Sequence, residues 1–252
     1  MLQSLQLVQP TTASEASGAL ADFGERAKVY AGGAELLLLF RNGLLDAEIL
    51  VDVKKIERLH RIEIDNGTLK IGACVTHHAL EKNELARVQA PALAYAESQV
   101  ANVRVRNQGT LGGNLAFNDP HSDPGTVLLI HDASVIIGNS SGERPIALGN
   151  FLVDMYATAL ESGDLLLGID VPQLPPGMKS GYWRLHRYQR PTLGVAAGVS
   201  MTNGILDEAR LAVGCVGPKA ERLTKLETKL KGTKLSDAKR ILADETQKPT
   251  HF

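Results

Sequence analysis

The sequence predicts an α+β protein made of two mixed segments in succession and a small C-terminal α+β domain. Three observations predict it. Short β-rich runs alternate with helical patterns as far as Val171. The cluster Pro172, Pro175, Pro176 and Gly177 then interrupts the pattern as a linker would. Beyond it, three strand-like runs follow one another before the pattern turns helical again. With 252 residues, 44% of them hydrophobic, the chain can bury a core of its own. The expected divisions are 1–56, 57–175 and 178–252.

Thr11 to Ala21 opens with hydroxyl residues able to cap a helix and carries Glu15 early, which predicts a first helix. Ala27-Lys28-Val29-Tyr30 follows as a short strand, Gly32-Gly33 as a turn and Ala34 to Phe40 as an apolar helix. Glu48 to Val53 is β-rich. Arg61 to Ile64, Asn66-Gly67 and Leu69 to Ile71 read as a tight hairpin. From Thr76 to about Asn102 the spacing is helical, and Gly109 to Pro124 is an ordered polar loop held between core elements. An apolar run, Thr126 to Ile130, precedes the strand-like Ser134 to Ile137, and Leu165 to Val171 reads as a buried strand. Past the linker, strands are expected at Tyr182 to Tyr188, Val195 to Thr202 and Ala209 to Val216, with helices after Lys219 and after Ser236.

Composition excludes several functions. Lys+Arg number 27 and Asp+Glu 28, so no global field attracts nucleic acid or anionic lipid. Cys74 and Cys215 lie far apart without a CxxC pair, so the chain carries no iron–sulfur cluster by itself. They read as two buried thiols in a reducing compartment. The first twenty residues lack the basic start and apolar stretch of a signal peptide, and no run is long enough to span a bilayer; a cytoplasmic protein is expected. His77 and His78 are adjacent, so on a helix they point to different faces, which favours surface or capping roles over a shared metal.

Two glycine turns stand out, Tyr30-Ala31-Gly32-Gly33-Ala34-Glu35-Leu36 and Gly109-Thr110-Leu111-Gly112-Gly113-Asn114. Glycine lets the chain approach a ligand closely, and amides at a helix start carry positive partial charge, so each turn could cradle an anion. A pyrophosphate needs donors of that kind on more than one side. Neither turn is a GxGxxG or a GxxxxGK[ST], which counts against a Rossmann dinucleotide fold and a nucleoside-triphosphatase.

The Ala-Gly-Gly turn, the Gly-Thr-Leu-Gly-Gly-Asn turn and Ser122-Asp123, in this order and spacing, resemble the FAD-binding medium subunit of molybdenum hydroxylases. That family includes the carbon monoxide dehydrogenase flavoprotein and the flavin domain of xanthine dehydrogenase. The resemblance runs from about Tyr30 into the C-terminal segment. It implies a two-part FAD-binding domain of the vanillyl-alcohol-oxidase-like (PCMH) type, with a C-terminal domain of the carbon-monoxide-dehydrogenase-flavoprotein kind.

By that resemblance, the amides of Ala31, Gly32, Gly33, Ala34, Glu35 and Leu36 serve one side of the pyrophosphate. The Thr110 hydroxyl and the amides of Gly112, Gly113 and Asn114 serve the other. Asp123 accepts from a hydroxyl of the flavin chain, and Leu165 and Leu166, in Asp164-Leu165-Leu166-Leu167, pack beside the adenine. Arg184, and with it Arg187, falls where the family has basic residues near the flavin. His121 could approach the cofactor. This sequence departs from the family at Ala34, where relatives often carry a polar side chain, and at Arg190-Pro191-Thr192, where they commonly place an acid. It also ends before a further helical segment that relatives have.

The implied role is electron transfer, with FAD on this chain, [2Fe–2S] clusters on a small partner subunit and molybdopterin on a large one, in a dimer of heterotrimers. No acid, base or nucleophile of its own is then needed. The rivals are a free-standing flavin oxidoreductase of the same fold and a flavin-free scaffold subunit.

Overall fold

In the computed structural model, residues 5–186 and 190–246 are described. The first unit runs β1 (Gln6–Val8), α1 (Ala13–Phe23), β2 (Ala27–Tyr30), α2 (Leu36–Arg41) and β3 (Ile49–Asp52). A capping box starts α1: Thr12 Oγ1 accepts from the Glu15 amide at 3.2 Å while the Glu15 carboxylate accepts from the Thr12 amide at 3.3 Å. The three strands form a parallel sheet in the order β1-β3-β2, so β3 is central and all four of its residues are buried. Against it α1 packs Ala16 and Leu20, in one cluster with Ile49, Val51 and Val53.

The second unit begins with β4 (Ile62–Asp65) and β5 (Thr68–Gly72). They are joined through Asn66 and Gly67, whose φ values of 48° and 77° make the primed hairpin turn that Asn-Gly favours. The helical stretch is three short helices, α3 (His77–Lys82), α4 (Glu84–Gln89) and α5 (Pro91–Gln99). Asn83 breaks it, capping α4 by accepting from the Ala86 amide at 3.0 Å, and Pro91 opens α5. Next come α6 (Val103–Gln108), α7 (Leu111–Phe117) and α8 (Pro124–Ile130).

Helix α7 corrects the expectation of a loop from Gly109 to Pro124. Glycine is a poor helix former, but the Thr110 hydroxyl caps the helix by accepting from the Gly113 amide at 3.1 Å. A Cβ on Gly112 would lie 2.6 Å from Ala73, so only glycine lets the helix seat there.

The unit closes with β6 (Ser134–Asn139), β7 (Gly142–Ala147), α9 (Leu148–Phe151), β8 (Leu152–Asp154), β9 (Ala157–Thr158) and β10 (Leu165–Pro172). Its main sheet is antiparallel, in the order β4-β5-β10-β6-β7. In β10 the register with β6 slips between Leu166 and Gly168, a bulge that leaves Leu167 as the extra residue. Leu165 and Leu167 therefore pack with the first unit's cluster, whereas Leu166, Ile169 and Val171 join the large core under the helices.

Asp164, just before β10, pins this strand. Its carboxylate accepts from Asn139 Nδ2 at 2.8 Å, Arg144 Nη2 at 2.9 Å and the Glu161 amide at 3.0 Å. Burial pushes its carboxyl up, but these three donors outweigh burial and hold it below the ordinary carboxylate range. A depressed folded-state value stabilises above the unfolded-chain value of about 4 and is lost as pH falls through the folded one. Asp164→Asn is accordingly expected to cost about 1–3 kcal/mol in urea melts at pH 7, with the gap to wild type closing as the pH falls below about 4. A gap that stays constant would contradict this.

The third unit comprises β11 (Lys179–His186), β12 (Pro191–Thr202), β13 (Ile205–Gly214), β14 (Glu221–Arg222), α10 (Thr224–Leu230) and α11 (Leu235–Thr246). Its sheet, in the order β11-β12-β13-β14, lays Tyr182, Ala196 and Ala212 into the large core. Arg210 and Arg222 donate to the carbonyls of Ile130 and Leu129 at the end of α8 and pair with Asp132. Cations at that end suit the helix dipole. The end of the expected Tyr182 to Tyr188 strand lies outside the described residues.

Candidate functional site

A cleft of about 550 Å³ lies between the first unit and the helical layer of the second. The first glycine turn, Ala31 to Leu36, forms one wall; Thr110, Gly112, Gly113 and Asn114 form another. Asp123 and the pair Leu165 and Leu166 complete it. Of the described residues assigned to the site from sequence, Arg184 alone does not border the cleft.

Close approach explains the glycines. A Cβ on Gly32 would stand 2.0 Å from the Gln108 carbonyl oxygen, so the two turns touch there and tolerate no side chain. Gly33 has φ +75° and faces the Tyr30 ring, which would meet its Cβ at 2.3 Å. Behind the turn, Lys54 Nζ lies 3.4 Å from the Tyr30 ring centroid and 2.7 Å from Asp52 Oδ1. It also donates to the Ala31 carbonyl at 3.3 Å. Among the described residues, no acceptor meets the amides of Gly32, Gly33, Ala34, Glu35 and Leu36. Unmatched amides in succession at a cleft wall are an anion cradle.

The second turn corrects the sequence reading. The amides of Gly112, Gly113 and Asn114 already donate, to Ala73 O at 3.1 Å, Thr110 Oγ1 at 3.1 Å and Thr110 O at 2.9 Å. Forming α7 consumes them. What remains for a ligand is the hydroxyl proton of Thr110 and the Nδ2 of Asn114, whose Oδ1 accepts from Ser122 Oγ at 2.5 Å.

Asp123 is buried, its two oxygens taken by the Tyr182 hydroxyl at 2.6 Å and Arg184 Nη1 at 2.9 Å. Burial pushes its carboxyl up, against the pull of Tyr182 and Arg184, and burial together with Asp123 pushes the Tyr182 phenol up. A carboxylate has about four lone-pair sites, so Asp123 can still accept from a ligand hydroxyl. Arg184, expected beside the ligand, stands instead behind Asp123 and ties β11 to the cleft. Arg187 lies outside the described residues.

Burial pushes both thiols, Cys74 at the cleft wall and the half-buried Cys215, up to about 12; both are free. His121 borders the cleft and is held by Asp119, its amide donating at 2.9 Å. His77 overturns the surface or capping reading. Thr76, not His77, caps α3 by accepting from the Ala79 amide at 3.1 Å, and His77 turns inward to bury its ring against Glu97. Glu97 lies in a helix 20 residues further on, and nothing in the sequence pairs them. Among the described residues, no group of three His, Cys, Asp or Glu could hold a metal ion.

Free amides on one wall, a hydroxyl on another and leucines at one end make a cleft whose chemistry suits a dinucleotide cofactor. Residues 3–174 match the FAD-binding domain of molybdopterin dehydrogenases, and the chain belongs to that family. It is 32% identical over 220 residues to the 6-hydroxypseudooxynicotine dehydrogenase complex subunit alpha of Paenarthrobacter nicotinovorans, covering 86% of this chain and 74% of that one. To the carbon monoxide dehydrogenase medium chain of Hydrogenophaga pseudoflava it is 29% identical over 84% of this chain and 75% of that one. The solved carbon monoxide dehydrogenase of that organism, a form lacking the Mo-pyranopterin moiety, superposes with a TM-score of 0.93 at 28% identity. That match spans 100% of this chain and 90% of the other. The fold is thus the two-part FAD-binding type followed by a C-terminal domain, and the chain is an FAD-binding oxidoreductase subunit of the molybdenum hydroxylase type.

FAD fits the residues present. The unmatched amides suit its pyrophosphate, and the Gly32 and Gly33 positions, where a Cβ would collide, let backbone come close. Leu165 and Leu166, at most 6% exposed, offer apolar cover.

Proposed function

We propose that this chain is the electron-transfer subunit of a three-chain molybdenum hydroxylase, working with an iron–sulfur small subunit and a molybdopterin large subunit as a dimer of heterotrimers in the cytoplasm. The observation that carries the reading is the row of unmatched amides from Gly32 to Leu36. They hold the pyrophosphate, with Thr110 Oγ1 and Asn114 Nδ2 donating from the other side. Asp123 accepts from a hydroxyl of the flavin chain, and Arg184 fixes Asp123 rather than touching the flavin. Leu165 and Leu166 cover the adenine. When bound, FAD supplies the redox chemistry by which electrons from [2Fe–2S] clusters of the small subunit reach an external acceptor. Segments 1–56 and 57–175 form the two parts that enclose the cofactor, and 178–252 the C-terminal domain. No helix among the described residues is long and apolar enough to cross a membrane.

An absorbance spectrum of the chain expressed alone, then copurified with its neighbours and analysed for FAD, iron and molybdenum, tests this. Flavin on the isolated chain, with iron and molybdenum arriving only with partners, is the expected result. A colourless chain that takes up no added FAD would favour the scaffold.

A further inference from the structure

At the start of α3, beside the cleft, His77 is 3% exposed and its Nδ1 lies 2.5 Å from Oε2 of Glu97 on α5. Glu97 is fully buried, and its Oε1 has no hydrogen-bond partner among the described residues. The His77 amide donates to the Gly109 carbonyl at 3.1 Å, and a Cβ on Gly109 would stand 3.0 Å from the ring's Cδ2 and 3.3 Å from Nε2. Gly109 also abuts the first glycine turn, its Cα 3.0 Å from where a Cβ on Gly32 would be. His77 and the amide cradle therefore close on the same piece of backbone.

A buried carboxylate with one contact and one bare oxygen is costly unless a cation answers it. A carboxylate at Nδ1 orients the ring, and a proton added at Nε2 both compensates Glu97 and presents a charged donor. With Nδ1 turned to Glu97, Nε2 is the ring nitrogen left for the cleft. We propose that His77, held by Glu97, is a positioning residue for the phosphate of the bound cofactor, donating to it from Nε2 with uptake of one proton. This rests on the reading of the first turn as the pyrophosphate cradle.

Helix α3 packs on α4, α5 and α6. These helices carry Glu84 and Arg87 on α4, Glu97 on α5, and Arg104 and Arg106 on α6, the last paired with Glu81 at 2.8 Å. His78, Glu81 and Lys82 share α3, and Glu35, Asp119, His121, Asp123, Asp164 and Arg190 border the same cleft. Among the charged groups of the described residues, Glu97 is the one hydrogen-bonded to the ring.

The test uses the full chain freed of flavin, as wild type, His77→Phe and Glu97→Gln. Each is titrated calorimetrically with FAD, ADP and riboflavin in two buffers of different ionisation enthalpy, with thermal melts confirming the fold. FAD and ADP are expected to bind about tenfold more weakly to His77→Phe, the worth of one charge-assisted hydrogen bond, while riboflavin binds unchanged. Wild type should take up a proton with FAD and ADP but not with riboflavin, and His77→Phe should take up none. Should His77→Phe fail to fold, Glu97→Gln decides by losing the proton uptake. Equal weakening of riboflavin would mark a purely structural residue and overturn the proposal. So would undiminished FAD binding and proton uptake in the variants while Gly33→Asp stays colourless; the cradle would then stand without His77. Failure of wild type to bind FAD would overturn the cradle itself.

Discussion

Gly33→Asp protein is expected to purify colourless, with less than about a tenth of the wild-type flavin, an affinity loss of a hundredfold or more, or about 2.7 kcal/mol. Two effects combine. At φ +75° a side chain is strained, and its Cβ would lie 2.3 Å from a Tyr30 ring that Lys54 also contacts. The new carboxylate would also stand among the amides proposed to receive the pyrophosphate, setting anion against anion. Gly33→Ala carries the strain without the charge and should keep more flavin. The ratio of absorbance at 450 and 280 nm reads both. An aspartate variant as yellow as wild type would remove the first turn from the cofactor site.

Asp123→Ala is expected to destabilise the protein by about 3–5 kcal/mol, because it strands a buried guanidinium and a buried phenol together. The Arg184 side chain is 10% exposed, and its Nε has no partner among the described residues. Without Asp123, no ion pair among the described residues answers its charge. For a chain of 252 residues that loss corresponds to a fall in melting temperature of about 10 °C. Adding Arg184→Met should recover part of it, since a missing pair costs less than a half-pair. A single variant that melts within about 2 °C of wild type would show that Asp123 does not join the third sheet to the cleft.

Much of the fold was legible where local chemistry and tertiary packing agree. The capping box at Thr12 and Glu15 and the Asn66-Gly67 turn are set by residues a few positions apart, and both can be read from the chain. Helix α7 was not, because its glycines argue against a helix until Ala73 is known to press on Gly112 and the Thr110 hydroxyl to cap the helix at Gly113. Strand β7 was missed for a related reason. It is an edge strand containing Glu143, Arg144 and Pro145, residues that mark solvent or a loop when read without a neighbour.

The candidate site divides the same way. The turns themselves are visible as sequence, whereas which amides stay free depends on hydrogen bonds to Ala73 and within α7. Arg184 shows the limit of position along the chain: Asp123, 61 residues away, intercepts it. The His77 and Glu97 pair is joined only by the packing of α3 on α5.

The bulge at Leu167 makes β10 a strand whose two halves answer to different cores. Run in strict alternation at its present length, the strand would turn Ile169 and Val171 out of the large core and draw Gly168 and Asp170 in, so the extra residue at the bulge is what lets both halves bury their apolar side chains. Deleting Leu167 would straighten the ladder, keep Ile169 and Val171 on the large core and set Gly168 where a leucine now packs against the first unit, so what the bulge adds is a second leucine for the contact between the two units.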